Sequence, residues 1–213
     1  TGGQDDLVFD GDSIVVSAAG DVIARAPQFE DGIMLVDIDV ATRTSTPDVI
    51  ISDDEVSLER TLVPGIAHRL GDEEEIWNAI VVGLRDYVIK NGFSQVLIGL
   101  SGGIDSALTS TLCALTNKKV IVLNMPIRQM KQEFDRGMEH INWLKKNYSN
   151  VESQLVDLSE IFGKMESDFP DSIQDFLTMA NTRSRLRMIT LYAFAGHHKL
   201  LVAGTGNKIE DFG

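Results

Sequence analysis

The sequence predicts an α/β fold, a doubly wound and mostly parallel sheet preceded by a smaller β-rich piece. Three observations carry this reading. From about residue 70 onward, helical periodicities alternate with short apolar runs of the kind found in strands buried on both faces. One such run, Val96-Leu97-Ile98-Gly99-Leu100, leads through a glycine-bearing turn straight into a helical pattern. The charge is also lopsided: residues 1–75 hold 18 acids and 4 bases, residues 76–213 hold 14 and 15, so two different pieces are joined.

The first piece reads as four short strands, Leu7–Phe9, Ile14–Val16, Val22–Ala24 and Ile33–Ile38, separated by Asp-Gly and Gly-Asp turns. Such a sheet needs a second layer over its apolar face. From Ala41 the text turns to Thr, Ser, Pro and acids, a linker extending to about residue 71. Asp72 then N-caps a helix, with Glu75 at the reciprocal position of a capping box and Gly92 as its stop. Ile76, Ala79, Ile80, Gly83, Leu84, Tyr87 and Val88 share one face of it. The strand Val96–Leu100, a helix through Thr116 and the strand Val120–Leu123 make a right-handed parallel βαβ unit. A helix over Glu133–Asn147 points Phe134, Met138, Ile141 and Leu144 inward. Leu155-Val156 marks a third strand, and a helix from Asn181 to His198 leads to an apolar strand at Leu200–Ala203.

Composition excludes several classes. With 43% hydrophobic and 24% charged residues, 18 Gly and 5 Pro, the 213 residues suit a globular core rather than a collagenous or disordered chain. A net charge of -13 argues against nucleic acid or an anionic membrane as the main partner. The single cysteine, Cys113, permits no intrachain disulfide and no cysteine metal cluster, which fits a reducing cytoplasm. No apolar run of spanning length and no signal-peptide pattern is present. The chain opens on Thr1 in mid-pattern and ends on Phe212-Gly213, so it reads as a fragment of something longer.

The chemistry concentrates in Ser101-Gly102-Gly103-Ile104-Asp105-Ser106. The two glycines let backbone N–H groups turn toward an anion, and the following helix adds its positive end. The hydroxyls of Ser101 and Ser106 suit phosphate oxygens, and Asp105 suits a hard cation such as Mg²⁺. There is no Gly-Lys-Ser/Thr of a Walker loop and no Gly-x-Gly-x-x-Gly of a dinucleotide fold. An ordinary tight turn would not require all six positions.

This loop resembles the Ser-Gly-Gly-x-Asp-Ser pyrophosphate loop of the ATP pyrophosphatases. Two later segments narrow the resemblance: Asn181-Thr182-Arg183-Ser184-Arg185-Leu186-Arg187-Met188, continuing to Tyr192, and Gly204-Thr205-Gly206-Asn207-Lys208-Ile209-Glu210 are similar to segments of NAD synthetases. The resemblance implies an adenine nucleotide α-hydrolase-like domain over 72–213. Its implied reaction is ATP-dependent amidation of nicotinic acid adenine dinucleotide (deamido-NAD) through an adenylate, in a homodimer or higher homo-oligomer. It assigns Ser101, Gly102, Gly103, Asp105, Ser106 and Thr205 to ATP, Asp105 and Glu210 to Mg²⁺, and Arg185, Arg187 and Tyr192 to the dinucleotide. Within the helix, Arg183 shares a face with Arg187 while Arg185 projects elsewhere; Arg183 is read as a solvated partner of acids and left off the site.

Gly2-Gly3-Gln4-Asp5-Asp6-Leu7-Val8-Phe9-Asp10-Gly11-Asp12-Ser13 resembles the late part of the nitrilase-type glutaminase domain that precedes the synthetase in glutamine-dependent enzymes. Residues 1–40 are then the C-terminal remnant of a nitrilase-like α/β sandwich, whose Glu-Lys-Cys triad lies upstream of the match. The nitrogen donor implied is ammonia, free or glutamine-derived. Thr109–Cys113 and Val120–Gln129 resemble the short ammonia-using synthetases more, which suggests a composite of two ancestries meeting near the loop. GMP-synthetase-like chemistry and an inert nucleotide-binding or oligomerisation module are the competing functions. Cys113 reads as a small buried hydrophobe, His197-His198 as complements to a negative helix end, Trp143 as core or interface, and Asp72–Glu75 as a helix start.

Overall fold

The computed structural model describes residues 1–5, 7–38, 49, 51, 62, 65–207 and 209–210. Two compact units are present. One comprises Thr1–Val8 with Trp77–Gly213, the other Phe9–Ile76. Most of the expected linker, and Lys208, Phe212 and Gly213, lie outside the described residues.

The unit Phe9–Ile76 carries β1 (Ile14–Val16) and β2 (Val22–Arg25), an antiparallel pair with a register shift between Val15 and Val16. Here the structure corrects the four-strand expectation. Leu7–Phe9 and Ile33–Ile38 form no strand, and Ile33, Leu35 and Ile38 stand exposed. Apolar alternation makes a strand only where a neighbouring edge supplies hydrogen bonds and a layer covers the apolar side. Among the described residues Ile33–Ile38 belongs to no ladder.

The larger unit is built around a four-stranded parallel sheet in the order β5-β4-β3-β6. Its elements are α1 (Asp72–Lys90), β3 (Gln95–Leu100), α2 (Ile104–Leu115), β4 (Lys119–Asn124), α3 (Lys131–Asn147), β5 (Val151–Leu155), α4 (Ser159–Asp168), α5 (Phe176–His198) and β6 (Leu201–Val202). Side chains alternate across each strand, so every strand feeds two cores. Val96, Ile98, Leu100, Val120 and Val122 pack with Val88 of α1, Cys113 and Ala114 of α2, and Ile141 and Leu144 of α3. Leu97, Ile121 and Leu123 face the opposite side, toward Phe162 of α4 and Met179 and Ala195 of α5. Both sheet faces are therefore covered by helices, which explains the uninterrupted apolar runs.

Several boundaries move. The Glu75 amide donates to the Gly71 carbonyl at 2.8 Å, so α1 starts a residue ahead of the expected Asp72 cap, and the Glu75 carboxylate lies 3.9 Å from Arg69. On α1, Val82 and Val88 are the buried positions, whereas Ile76, Ile80 and Tyr87 are exposed. Gly83 of that helix meets Val8, so the first residues of the chain pack on its notch. Gly92 ends α1 at φ 74°, as its position demands. The third strand lies at Val151–Leu155, ahead of Leu155-Val156, and α5 begins at Phe176 because Asp175 caps it by accepting from the Thr178 amide at 3.0 Å. Cys113 is fully buried, and burial pushes its thiol up to about 12. Trp143 is not core: it is 46% exposed, stacked on His140.

Candidate functional site

The Ser101–Ser106 loop leaves the carboxyl end of β3, with β4 on one side of that strand and β6 on the other. This is where the strand order reverses, and where open parallel sheets leave a crevice for ligands. The loop is braced by its own hydroxyls. Ser106 is buried, and its Oγ donates to the Gly103 carbonyl at 3.1 Å and accepts from the Ser101 amide at 3.2 Å. The two hydroxyl oxygens are 3.1 Å apart, and the Gly103 amide donates to Ser101 Oγ at 3.2 Å. Gly102 has φ 88°, and a Cβ there would stand 2.4 Å from the Glu133 carbonyl oxygen of α3, so only glycine fits. Gly103, at φ -87°, caps α2, whose first amides have no intrahelical acceptor and are suited to an anion.

Two residues to which the sequence assigned no site role aim this loop. Gln129 Nε2 donates to the Ser101 carbonyl at 2.7 Å, and Arg136 Nε reaches the Gly102 carbonyl at 3.4 Å. In a trans peptide the N–H points opposite the C=O. Holding those carbonyls outward therefore fixes the amides of Gly102 and Gly103. A polar pair following β4 was the only available sequence signal, and its partner is known only from the fold.

Asp105 is half-buried on the first turn of α2, and Asn207 Nδ2 donates to its Oδ1 at 3.3 Å. Asn207 Oδ1 in turn accepts from the amides of Ile209 and Glu210 at 3.0 and 3.2 Å. One amide side chain thus links the loop to the segment carrying Thr205 and Glu210, although the sequence reading gave Asn207 no role. Among the described residues no group of three or more metal-binding side chains converges. A cation at Asp105 and Glu210 would draw its other ligands from phosphate and water, the donor set Mg²⁺ favours.

A cavity of about 750 Å³ opens beside the loop, lined by Ser101, Gly102 and Gly103 and by Arg128, Gln129, Arg183 and Arg187 among others. Arg187 is half-buried and its Nε donates to the Met125 carbonyl at 2.9 Å. Burial, then the Arg183 charge, lower its pKa, with Glu133 opposing. Arg183 is not the solvated partner of acids expected of it. It forms no ion pair among the described residues, and its guanidinium lies 5.3 Å over the Phe162 ring. Arg185 and Tyr192 are exposed elsewhere on α5 and do not line the cavity.

The NAD synthase family model matches residues 76–212, the stretch that holds the loop, the arginine helix and the Asn207 segment. The chain belongs to the NAD synthase family. It is 34% identical over 229 residues to a glutamine-dependent NAD(+) synthetase of Aquifex aeolicus, covering 98% of this chain and 40% of that relative. In structure it is similar to the glutamine-dependent NAD+ synthetase of Acinetobacter baumannii in complex with adenosine diphosphate, at TM-score 0.77 and 28% identity, covering 98% of this chain and 37% of that one. The NH3-dependent NAD synthetase of Campylobacter jejuni, in complex with the nitrate ion, matches at TM-score 0.59 and 28% identity, covering 67% of this chain and 62% of its own. The chain spans 35% to 40% of the length of its curated glutamine-dependent relatives. Since one such enzyme aligns across both halves, no junction of two ancestries is required.

Proposed function

We propose that the chain is the nucleotide-handling part of a carbon–nitrogen ligase that converts deamido-NAD to NAD, the last step of NAD formation, with ATP split to AMP and pyrophosphate. What supports this most is the loop at the sheet's reversal point, tied by Asn207 to the segment carrying Thr205 and Glu210. In this reading residues 1–40 derive from a nitrilase-like glutaminase domain, 41–71 link, and 72–213 form the synthetase domain. The nitrogen is ammonia, free or passed from glutamine. The work is done in the cytoplasm, where no nucleic acid or membrane is engaged; among the described residues no helix is long and apolar enough to cross a membrane.

A carboxylate is a poor acyl donor until it is adenylated. The substrate carboxylate attacks the α-phosphorus, pyrophosphate leaves, and ammonia then displaces AMP to form the amide. Two anions must meet, so positioning and charge compensation are the protein's task. Ser101, Gly102, Gly103, Asp105, Ser106 and Thr205 hold ATP, with the Gly102 amide aimed by Gln129. Mg²⁺ on Asp105 and Glu210 would offset polyphosphate charge. Arg185, Arg187 and Tyr192 take the dinucleotide, whose phosphates and carboxylate suit guanidinium forks. Met188 and Ile189 stand exposed on α5, which supports pairing with a second copy.

The deciding experiment is pyrophosphate release from Mg-ATP in the presence of ammonium. Stimulation by deamido-NAD, but not by xanthosine monophosphate or aspartate, is expected. Stimulation by xanthosine monophosphate instead would move the chain to GMP-synthetase-like chemistry, and Mg-ATP binding untouched by Asp105→Ala would make it an inert nucleotide-binding module.

A further inference from the structure

We propose that Arg183 and Arg187 together form a second anion subsite in the loop cavity, one that takes paired phosphate or carboxylate oxygens. The inference rests on reading that cavity as the nucleotide site. Four residues apart on α5, the two guanidiniums repel each other, a cost that a bound anion would relieve. Neither has a carboxylate partner among the described residues, whereas the neighbouring Arg128 is neutralised by Glu166 at 2.5 Å. Glu133 acts on Arg187 only at longer range.

Both side chains are held before any ligand arrives. Arg187 spends its Nε on the Met125 carbonyl, which leaves its two terminal nitrogens as a fork. Arg183 rests on the ring of Phe162, itself 1% exposed, so its seat is fixed by the core. A preset pair of forks binds an anion with little ordering cost. The same cavity wall carries Ser101, Gly102 and Gly103. One phosphoryl group on the loop thus leaves the arginines for a second anion, either the rest of the polyphosphate or an acidic group of the dinucleotide.

Calorimetric titration of the full chain with inorganic pyrophosphate, Mg-ATP and deamido-NAD tests this. The variants are Arg183→Met, which keeps the packing on Phe162 and removes the charge, Arg183→Lys, which keeps charge without the fork, and Asp105→Ala. Arg183→Met is expected to weaken at least one ligand about tenfold, with Lys intermediate and a shallower salt dependence. Loss for pyrophosphate and ATP places the polyphosphate on the pair, and loss for deamido-NAD alone places the dinucleotide there. If Arg183→Met leaves all three affinities unchanged, the subsite is overturned while ATP binding sensitive to Asp105→Ala keeps the functional reading alive. If pyrophosphate binding depends on Arg183 but ATP does not bind, the functional reading falls and the subsite stands. No binding of any ligand to the wild type overturns both.

Discussion

The sheet unit and the unit Phe9–Ile76 are made from similar apolar residues and use them differently. In the sheet unit Val96, Leu97, Ile98, Val120, Val122 and Leu123 are all fully buried. In Phe9–Ile76 the buried set among the described residues is Ala24 and Gln28, while Phe9, Ile14, Val16 and Ile33 lie open. Its order comes instead from polar bonds: Arg25 to Asp12 at 2.5 and 2.7 Å, and the Leu70 amide to Gln28 at 2.9 Å. A sheet covered on both faces is stabilised by apolar area, whereas a two-stranded ribbon whose described apolar side chains stand open depends on hydrogen bonds exposed to competition from water.

The contrast can be broken by substitution. Leu97→Ala should cost about 2–5 kcal/mol, and Ile33→Ala less than about 0.5 kcal/mol, both read from urea unfolding followed at β4 amides. Equal losses would abolish the distinction. Next in size, Asp12→Ala should cost the smaller unit about 1–3 kcal/mol by leaving the largely buried Arg25 unpaired. Hydrogen exchange should quicken at the Ala26 amide, which donates to Ser13, and not in β3. Exchange rising equally in both units would mean that they unfold together.

Gln129→Leu probes the loop end of the larger unit. Losing the bond to the Ser101 carbonyl should move the Gly102 amide resonance and weaken Mg-ATP by about 1 kcal/mol, with sheet stability unchanged. An unmoved resonance would show that Gln129 does not aim that amide. The smallest effect is expected at Asp86. Burial pushes its carboxyl up, but the Gly2 amide at 2.9 Å, Arg85 and Lys90 outweigh burial and hold it below 3.8. A depressed folded-state pKa gives stability that is present above the unfolded value and lost as pH falls through the folded one. Asp86→Asn should therefore flatten the acid limb below about pH 4 by under about 1 kcal/mol. Unaltered protection at the Gly2 amide would show that Thr1–Val8 is anchored by other contacts.

Much of the larger unit was legible because its signals are local. β3, β4, the loop and α3 declare themselves by apolar runs, glycine placement and periodicity. α4 escaped because Gly163 interrupts a short, mixed pattern; in the structure its one buried side chain, Phe162, fills the core. β5 was displaced because its residues Val-Glu-Ser-Gln-Leu are mostly polar, as suits the sheet's outer position. At the site, spacing alone placed Arg183 and Arg187 on one face, yet which face meets the loop depends on how α5 docks on Leu97 and Leu123. Ile33–Ile38 failed in the opposite sense: its pattern is strand-like, but pairing is a property of two segments, and the second is missing among the described residues.

The bond from Asn207 to Asp105 spans 102 residues, and β6 joins β3 only at Val96 and Leu97. β3, β4 and β5 pair in chain order across short crossovers, while β6 must close nearly the whole domain into a loop. Late contacts of this kind set the pace of folding. The pairing of β6 with β3 is therefore expected to lag the pairing of β3, β4 and β5. Until that pairing forms, the loop lacks the Asn207 amide that holds Asp105, so the brace on the loop depends on the slowest contact of the sheet.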